Sequence, residues 1–538
     1  LWNNGNTYIS YYGYDYLGNR DRVKPSLNEF LHDPLNRKVG SFAPIYNAAW
    51  LQDKFAFKDL IFRLGVRIER YDANQLVLKD PYSLYPVLTA SEVKGFNGNE
   101  ISHPSNIGDD YVVYVNNNES PSSVVGYRNG NTWYDADGIE VSTPDIIASE
   151  SSNGLIQPAL VDPENQELVK ESFEDYTPQV NVLPRVWFSF PINTEAQFFA
   201  NYDVMAQRPG DGSIFAPINT FYYLEATQGG TIANASLKPR IRTNYELGFK
   251  QKLSDNSAIS LIAQYAETRN DFGLIRIYQA YPITYNTTGN IDFSTTKSFR
   301  AEYELRGMGN VSLSANYALL FADGTGSNIN SQAALIAANQ PNLRSLYPLD
   351  VDIRHKFVAI LDYRYDEGSA YNGPIWFGKK VFENAGVNFI TTAKSGAPYT
   401  RNKLAVSSAQ SDLGRVQRSA IDGNPFGSRL PWQFRVDMNA SKDFVIKKDN
   451  PKAFRVQTMN ITVFLWIQNL LNNKIIEGVY GYTGLPNDDG YLNSPQGQQY
   501  ISEQINTQSF IDLYSIKADN PGNYGFPRLA RLGVRVTF

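Results

Sequence analysis

The last eleven residues, Arg528 to Phe538, alternate almost without fault between apolar and polar positions. Ala530, Leu532, Val534, Val536 and Phe538 fall on one face, and Leu529, Arg531, Gly533, Arg535 and Thr537 on the other. Successive side chains of a β-strand point to opposite faces, so the segment reads as a strand with one apolar and one mostly polar side. In an outer-membrane barrel the apolar side meets lipid and the polar side the lumen. On that reading Arg531 and Arg535 face inwards.

The same period recurs upstream. In 432–444, Trp432, Phe434, Val436, Met438, Ala440 and Phe444 share a face, with Lys442 the one exception on it. Gln433, Arg435, Asp437, Asn439, Ser441 and Asp443 share the other, which puts Arg435 and Asp437 among the lumen-facing candidates. Segment 311–321 sets Val311, Leu313, Ala315, Tyr317, Leu319 and Phe321 opposite Ser312, Ser314 and Asn316; segment 259–265 behaves alike. Segment 461–467 is apolar on both faces, and its register stays open. Period-two runs of this length predict strands rather than helices.

About fourteen candidate strands follow from this pattern. They are 7–17, 42–57, 60–72, 178–191, 196–208, 243–253, 257–269, 284–305, 309–323, 353–366, 384–399, 431–446, 455–471 and 528–538. The links between them alternate in length. Those at 57–60, 193–195, 254–257 and 307–310 are tight, whereas 73–177, 209–242, 324–352, 400–430 and 472–527 are long. Outer-membrane barrels have short periplasmic turns and longer extracellular loops, which places the long links outside. Link 367–383 is too long for its side. Link 73–177 exceeds an ordinary connection and predicts structure of its own.

Composition excludes other classes. There is no cysteine, so disulfides and thiolate metal sites are absent, and His32, His103 and His355 make no metal-ligand spacing. The net charge of −5 without a basic run argues against nucleic acid as a partner. Aromatic residues reach 13%, which suits girdles at two membrane interfaces. No apolar run approaches the roughly 20 residues of a spanning helix. Mean hydropathy is negative. A barrel strand shows only every second residue to lipid, so windowed hydropathy averages its signal away. The sequence opens on Leu1 without a leader, and a chain beginning partway through a longer exported protein is expected. There is no Gly-x-Ser-x-Gly elbow, His-Glu-x-x-His or phosphate loop, and neither an enzyme nor a cofactor is expected. Asp135-Ala136-Asp137-Gly138 lacks the spacing of a calcium loop and reads as a solvated turn. His355, between Arg354 and Lys356, reads as a strand-start residue near the outer rim. The pairs Tyr11-Tyr12, Phe198-Phe199 and Tyr222-Tyr223 read as interface anchors or loop packing.

Several segments carry a family resemblance. Thr243-Asn-Tyr-Glu-Leu-Gly-Phe-Lys250, following Leu237-Lys238-Pro239, resembles a strand of TonB-dependent outer-membrane receptors. So do Ala48-Ala-Trp-Leu-Gln-Asp-Lys-Phe55, Leu64-Gly-Val-Arg-Ile-Glu-Arg-Tyr71, Asp352-Ile-Arg-His-Lys-Phe357, Ile467-Gln-Asn-Leu-Leu-Asn472 and Leu532-Gly-Val-Arg-Val-Thr-Phe538. The style is most similar to the large Oar-like receptors of Bacteroidota, which carry a carboxypeptidase-regulatory-like domain. The resemblance implies an all-β transmembrane antiparallel barrel of about 22 strands with a plugged lumen. Residues 1–538 would then be its C-terminal portion, with plug, TonB box and about eight strands lying before Leu1.

The resemblance further implies import of a bulky substrate such as a peptide or glycan, driven by a TonB-type energising protein that engages the missing N-terminal part. Outer-membrane lipid surrounds the barrel, and Val534, Val536 and Phe538 would form the C-terminal signal for the insertion machinery. Two alternatives remain open. One is a scaffold or assembly component of a multiprotein outer-membrane complex, with a surface lipoprotein as partner. The other is a passive fourteen-stranded pore.

Overall fold

The computed structural model describes residues 13–15, 17–20, 26–33, 35, 39–224, 229–338, 340–411, 413–414, 419–448 and 457–537. Its fold is all-β. Thirteen long strands follow one another along a single sheet: β1 Ile45–Phe57, β2 Leu60–Asp72, β3 Gln179–Pro191, β4 Ala196–Gln207, β5 Arg240–Ser254, β6 Ser257–Ile277, β7 Tyr285–Met308, β8 Val311–Gly324, β9 His355–Arg364, β10 Ala385–Lys394, β11 Gln433–Lys448, β12 Gln457–Gln468 and β13 Leu529–Thr537. Each strand pairs antiparallel with the next in the chain, an up-and-down meander. Among the described residues β1 and β13 do not pair with each other.

Of the fourteen expected strands, the one at 7–17 differs. Residues 7–12 and 16 lie outside the described residues, and the rest belongs to a turn closed by a bridge between Tyr14 and Arg20. The Asp15 carboxylate accepts the backbone amides of Leu17 and Asn19, which bends the chain back instead of extending it. β6 runs eight residues past its expected end at 269, to Ile277, and β7 begins at Tyr285, close to the expected 284. Their tip supports the loops.

Register fixes the two faces. Leu319, Phe299, Ala263, Leu247, Ala200, Phe188, Phe62 and Phe55 are successive cross-strand partners from β8 back to β1. Leu532, Leu465, Ala440, Val387, Tyr363 and Val311 continue the face from β13 to β8. One apolar face therefore crosses all thirteen strands. It settles segment 461–467: Ile461, Val463, Leu465 and Ile467 take the apolar side, and Phe464 and Trp466 the polar one. On β6 the apolar run extends from Ile259 to Tyr265, roughly 20 Å at strand rise. It ends at Glu267, which pairs with Arg269 at 2.9 Å and accepts the Tyr265 hydroxyl.

Aromatic side chains stack along this face. Phe55, Phe62, Phe188 and Phe198 form a ladder with centroids 5.1, 6.2 and 5.9 Å apart near the tight turns. Tyr202, Tyr245 and Tyr265 form another towards the long links. Within the polar face two glycines sit under rings of the neighbouring strand. A Cβ added at Gly248 would lie 2.0 Å from the Phe199 ring, and one at Gly533 would lie 2.3 Å from that of Phe464. A ring covering a cross-strand glycine restores the packing that the missing side chain forfeits.

The buried clusters lie at the long-link end, not between the two faces of the sheet. The largest joins Tyr71, Val77, Leu84, Tyr85 and Phe173 to Ile214, Phe221 and Leu224 and to Ile277 and Tyr285 of the β6–β7 tip. Residues 73–177 build a four-stranded sheet and two further clusters, around Val113 and Tyr127 and around Tyr114 and Ile147. Link 472–527 contributes helices α1 Pro495–Ser502 and α2 Thr507–Ala518, each capped by an asparagine or serine side chain.

Candidate functional site

The polar face is a lattice of short-range charge pairs. Arg185 and Asp203 are direct cross-strand partners at 2.8 Å, and Arg67–Glu69, Arg435–Asp437, Arg300–Glu302 and Arg364–Asp443 lie at 2.5, 2.5, 3.5 and 3.7 Å. Most pair an arginine with a carboxylate two residues along the same strand, which period two places on one face. Such partly exposed pairs each contribute about 0–1 kcal/mol, so they organise a hydrated surface more than they stabilise it.

The four charged candidates share this face. Arg435 binds Asp437 at 2.5 Å, and Asp437 also accepts the backbone amide of Asn469 at 2.8 Å, where β12 leaves the sheet. Arg531 stacks over Trp466 at 5.2 Å, and Arg535 stands opposite Thr462. Val534 and Val536 lie exposed on the apolar face, and Phe538 lies outside the described residues.

At the long-link end, residues 73–177 enclose a cleft of about 810 Å³. Asp80, Glu92, Asp110, Asp162, Glu167 and Glu171 line it, against Lys79 and Arg128 as the basic lining groups among the described residues. Arg128 is 4% exposed and holds the cleft's floor. It donates to the Tyr114 hydroxyl at 2.8 Å, to the Gly130 carbonyl at 2.9 Å and to Asp80, and it lies over the rings of Tyr82, Tyr114 and Trp133. Burial opposes its charge, but Tyr114, Asp80 and Tyr82 outweigh that and hold it above its ordinary value. Burial pushes the Tyr82 and Tyr114 phenols up, so both stay neutral. Asp135 accepts the amides of Asp137 and Ile139, the solvated-turn geometry expected for Asp135–Gly138.

This body is tied to the β6–β7 tip by side chains far apart in sequence. The Tyr281 hydroxyl meets Asn118 at 2.6 Å and Gln166 at 2.5 Å, and the Tyr285 hydroxyl donates to the Pro81 carbonyl. Tyr278 and Gln279 both donate to Asp145. Burial raises the Asp145 carboxyl, and hydrogen bonds from Thr143, Tyr278 and Gln279 more than reverse this, leaving it below the usual carboxylate range.

Two buried carboxylates knit the other links together. Asp489, 1% exposed, accepts the Tyr514 hydroxyl at 2.6 Å and the Ser408 amide at 2.8 Å, joining 400–430 to 472–527. Asp352, fully buried, binds Arg354 at 2.9 Å and Arg429 at 2.5 Å at the rim of the sheet. The linking roles of Arg128, Asp352 and Asp489 are not legible in the sequence, because the partners that make the links, Asp80, Arg429 and Ser408, are distant in the chain. His355 begins β9 as expected. Its ring lies between Tyr317 and Trp432, with centroids 6.3 and 5.7 Å away, and Nδ1 meets the Tyr317 hydroxyl at 2.9 Å. Of the aromatic pairs, Tyr11-Tyr12 lies outside the described residues, and Phe198 and Phe199 split between the two faces. Tyr222 packs against Phe30 and Tyr223 in the loops. Among the described residues no group of three or more potential ligands is placed to hold a metal.

No protein-family model matches the chain, and no curated protein matches it. Similar solved structures include the FrpB iron transporter of Neisseria meningitidis, at 11% identity and a TM-score of 0.39, covering 81% of this chain and 42% of that one. The outer membrane transporter YddB of Escherichia coli is 12% identical with a TM-score of 0.39, covering 81% and 51%. Pseudomonas FpvA in complex with pyoverdine is 9% identical with a TM-score of 0.38, covering 91% and 48%. The chain thus spans about half the length of the structures it resembles.

Proposed function

We propose that the chain is the C-terminal wall of an outer-membrane β-barrel and that the barrel is a TonB-dependent receptor of the Oar-like type. The observation that carries the membrane reading is the single apolar face crossing all thirteen strands, set against an ion-paired polar face. In water that face would be an unburied apolar surface; in a bilayer it meets lipid. Every residue of β1 is exposed, and among the described residues no strand pairs with its outer edge, whose open backbone groups hydrocarbon does not tolerate. Further strands pair with that edge to complete a barrel, and the polar face, including Arg435, Asp437, Arg531 and Arg535, turns to the lumen and the plug. The tight turns are periplasmic, and the last strand, with Val534, Val536 and Phe538, is the segment the insertion machinery reads.

The receptor assignment rests on the strand motifs, from Ala48–Phe55 to Leu532–Phe538. The ligand is a bulky polar molecule such as a peptide or glycan, held between the acid-lined cleft of 73–177 and the helical link 472–527. The test is uptake by intact cells. Deleting 80–170 abolishes accumulation while the barrel stays heat-modifiable, and removing the energising protein abolishes it equally. Uptake that survives loss of that protein overturns the importer reading.

One observation favours a scaffold instead. Residues 73–177 fold around their own buried clusters, as a docking domain would. Stable co-purification with a surface lipoprotein, without substrate accumulation, establishes that role.

A further inference from the structure

The long link among the tight turns and the lysine on the apolar face of β11 meet at one place. Residues 365–384 leave β9, form a small ladder between Ile375–Trp376 and Lys379–Lys380, and return to β10. The tip is apolar and bare: Ile375 is 61% exposed, Trp376 54% and Phe377 104%. Where the link meets the strands lies a groove of about 580 Å³, lined by Tyr365, Phe382, Val387, Ala440, Phe444 and Leu465. Lys442 also lines it. Its Nζ donates to the carbonyls of Val381 and Glu383 and lies 5.3 Å from the centre of the Phe444 ring, which leaves a third donor, and it makes no ion pair among the described residues.

We propose that this groove seats a glycerophospholipid of the periplasmic leaflet, with an acyl chain along Val387, Ala440 and Leu465 and the phosphate at Lys442. The inference rests on the membrane reading above and adds a specific lipid site to it. The groove is continuous with the apolar face, because Val387, Ala440 and Leu465 are consecutive partners in one cross-strand row of that face. A phospholipid combines the two chemistries the groove presents, an apolar chain for its lining and an anion for the Lys442 ammonium, which has no carboxylate partner among the described residues. A protein segment would have to bring a carboxylate to the same point. The tip supplies a matching interfacial anchor, with Trp376 packed on Phe382 at 5.5 Å and Lys379 and Lys380 beside it.

The test uses the full chain in bilayers containing a phospholipid brominated along its acyl chains. Fluorescence lost on Trp376→Phe reports Trp376, and that lost on Trp432→Phe reports the apolar face at the opposite end. Brominated lipid is expected to quench both. After transfer to detergent, mass spectrometry should find phospholipid retained by the native protein and lost from Lys442→Gln and from Ala440→Phe, which fills the groove without touching the link's anchor. Quenching of Trp432 but not Trp376, retention by Ala440→Phe equal to the native protein, or retention of lipopolysaccharide alone overturns the lipid site and leaves the membrane reading standing. If neither tryptophan is quenched, the membrane reading itself fails.

Discussion

Lys442 stands within the apolar row of β11 between Ala440 and Phe444, and its Nζ donates to the backbone carbonyls of Val381 and, at 3.4 Å, Glu383. Two irregularities of the sequence, a cation among apolar residues and an overlong turn, are thus one structural device. The lysine satisfies carbonyls that the turn leaves without ladder partners. Replacing Lys442 with Met should loosen 366–384 and destabilise it by about 1 kcal/mol, the value of a half-exposed hydrogen bond from a charged donor. Faster amide exchange confined to 366–384 is the expected result, and unchanged exchange there refutes the contact.

The two faces should differ sharply in their tolerance of charge. Arginine at Val436 or Val534 should cost roughly 2–4 kcal/mol near the bilayer midplane, whereas arginine at Asn439 or Thr537 should cost far less. Urea unfolding of the four variants in lipid vesicles measures this. Equal costs on both faces would mean the inside–outside register is wrong, since a shift of one residue exchanges every side chain.

Asp437 holds the exit of β12 as well as Arg435. Asn469, whose amide it accepts, has a positive φ of 50° and a side chain that donates to the carbonyls of Asn473 and Phe526. Asp437→Ala should therefore cost about 1–2 kcal/mol and free 469–473, because a buried donor loses its acceptor. Asp437→Asn keeps an acceptor and should cost less; the reverse ranking in thermal unfolding would contradict this arrangement.

Asp145 makes the docking of 73–177 sensitive to acid. Its carboxyl titrates below the usual range in the folded state, so its contribution is fully present above the unfolded value. It is lost as pH falls from that value through the lower, folded one. Amide protection of 145–150 and 278–284 should fall on moving from neutral pH into this acid window. In Asp145→Asn the same segments should be less protected at neutral pH and change less with acid. Identical pH profiles for the two proteins would remove Asp145 from the account.

The absence of cysteine allows a clean topology test. Cysteine at Asn131 or at the fully exposed Ile505 should react with an impermeant maleimide on intact cells. Cysteine at Asp255, in the turn between β5 and β6, should react only after permeabilisation. Labelling of Asp255→Cys from outside would invert the proposed orientation.

The strands and their faces were legible in the sequence because period two is a local property. Alternation in 311–321, 432–444 and 528–538 names the apolar side without knowledge of any partner. The alternating link lengths were legible for the same reason. Tertiary structure alone decided the rest. Segment 461–467 is apolar on both sides, and only pairing with β11 and β13 sends Phe464 and Trp466 to the polar face. The Asp145–Tyr278, Asp352–Arg429 and Asp489–Ser408 contacts join links that share no sequence periodicity. A hydrogen bond between residues so far apart leaves no trace in local spacing, because it depends on where the whole sheet delivers the ends of its strands.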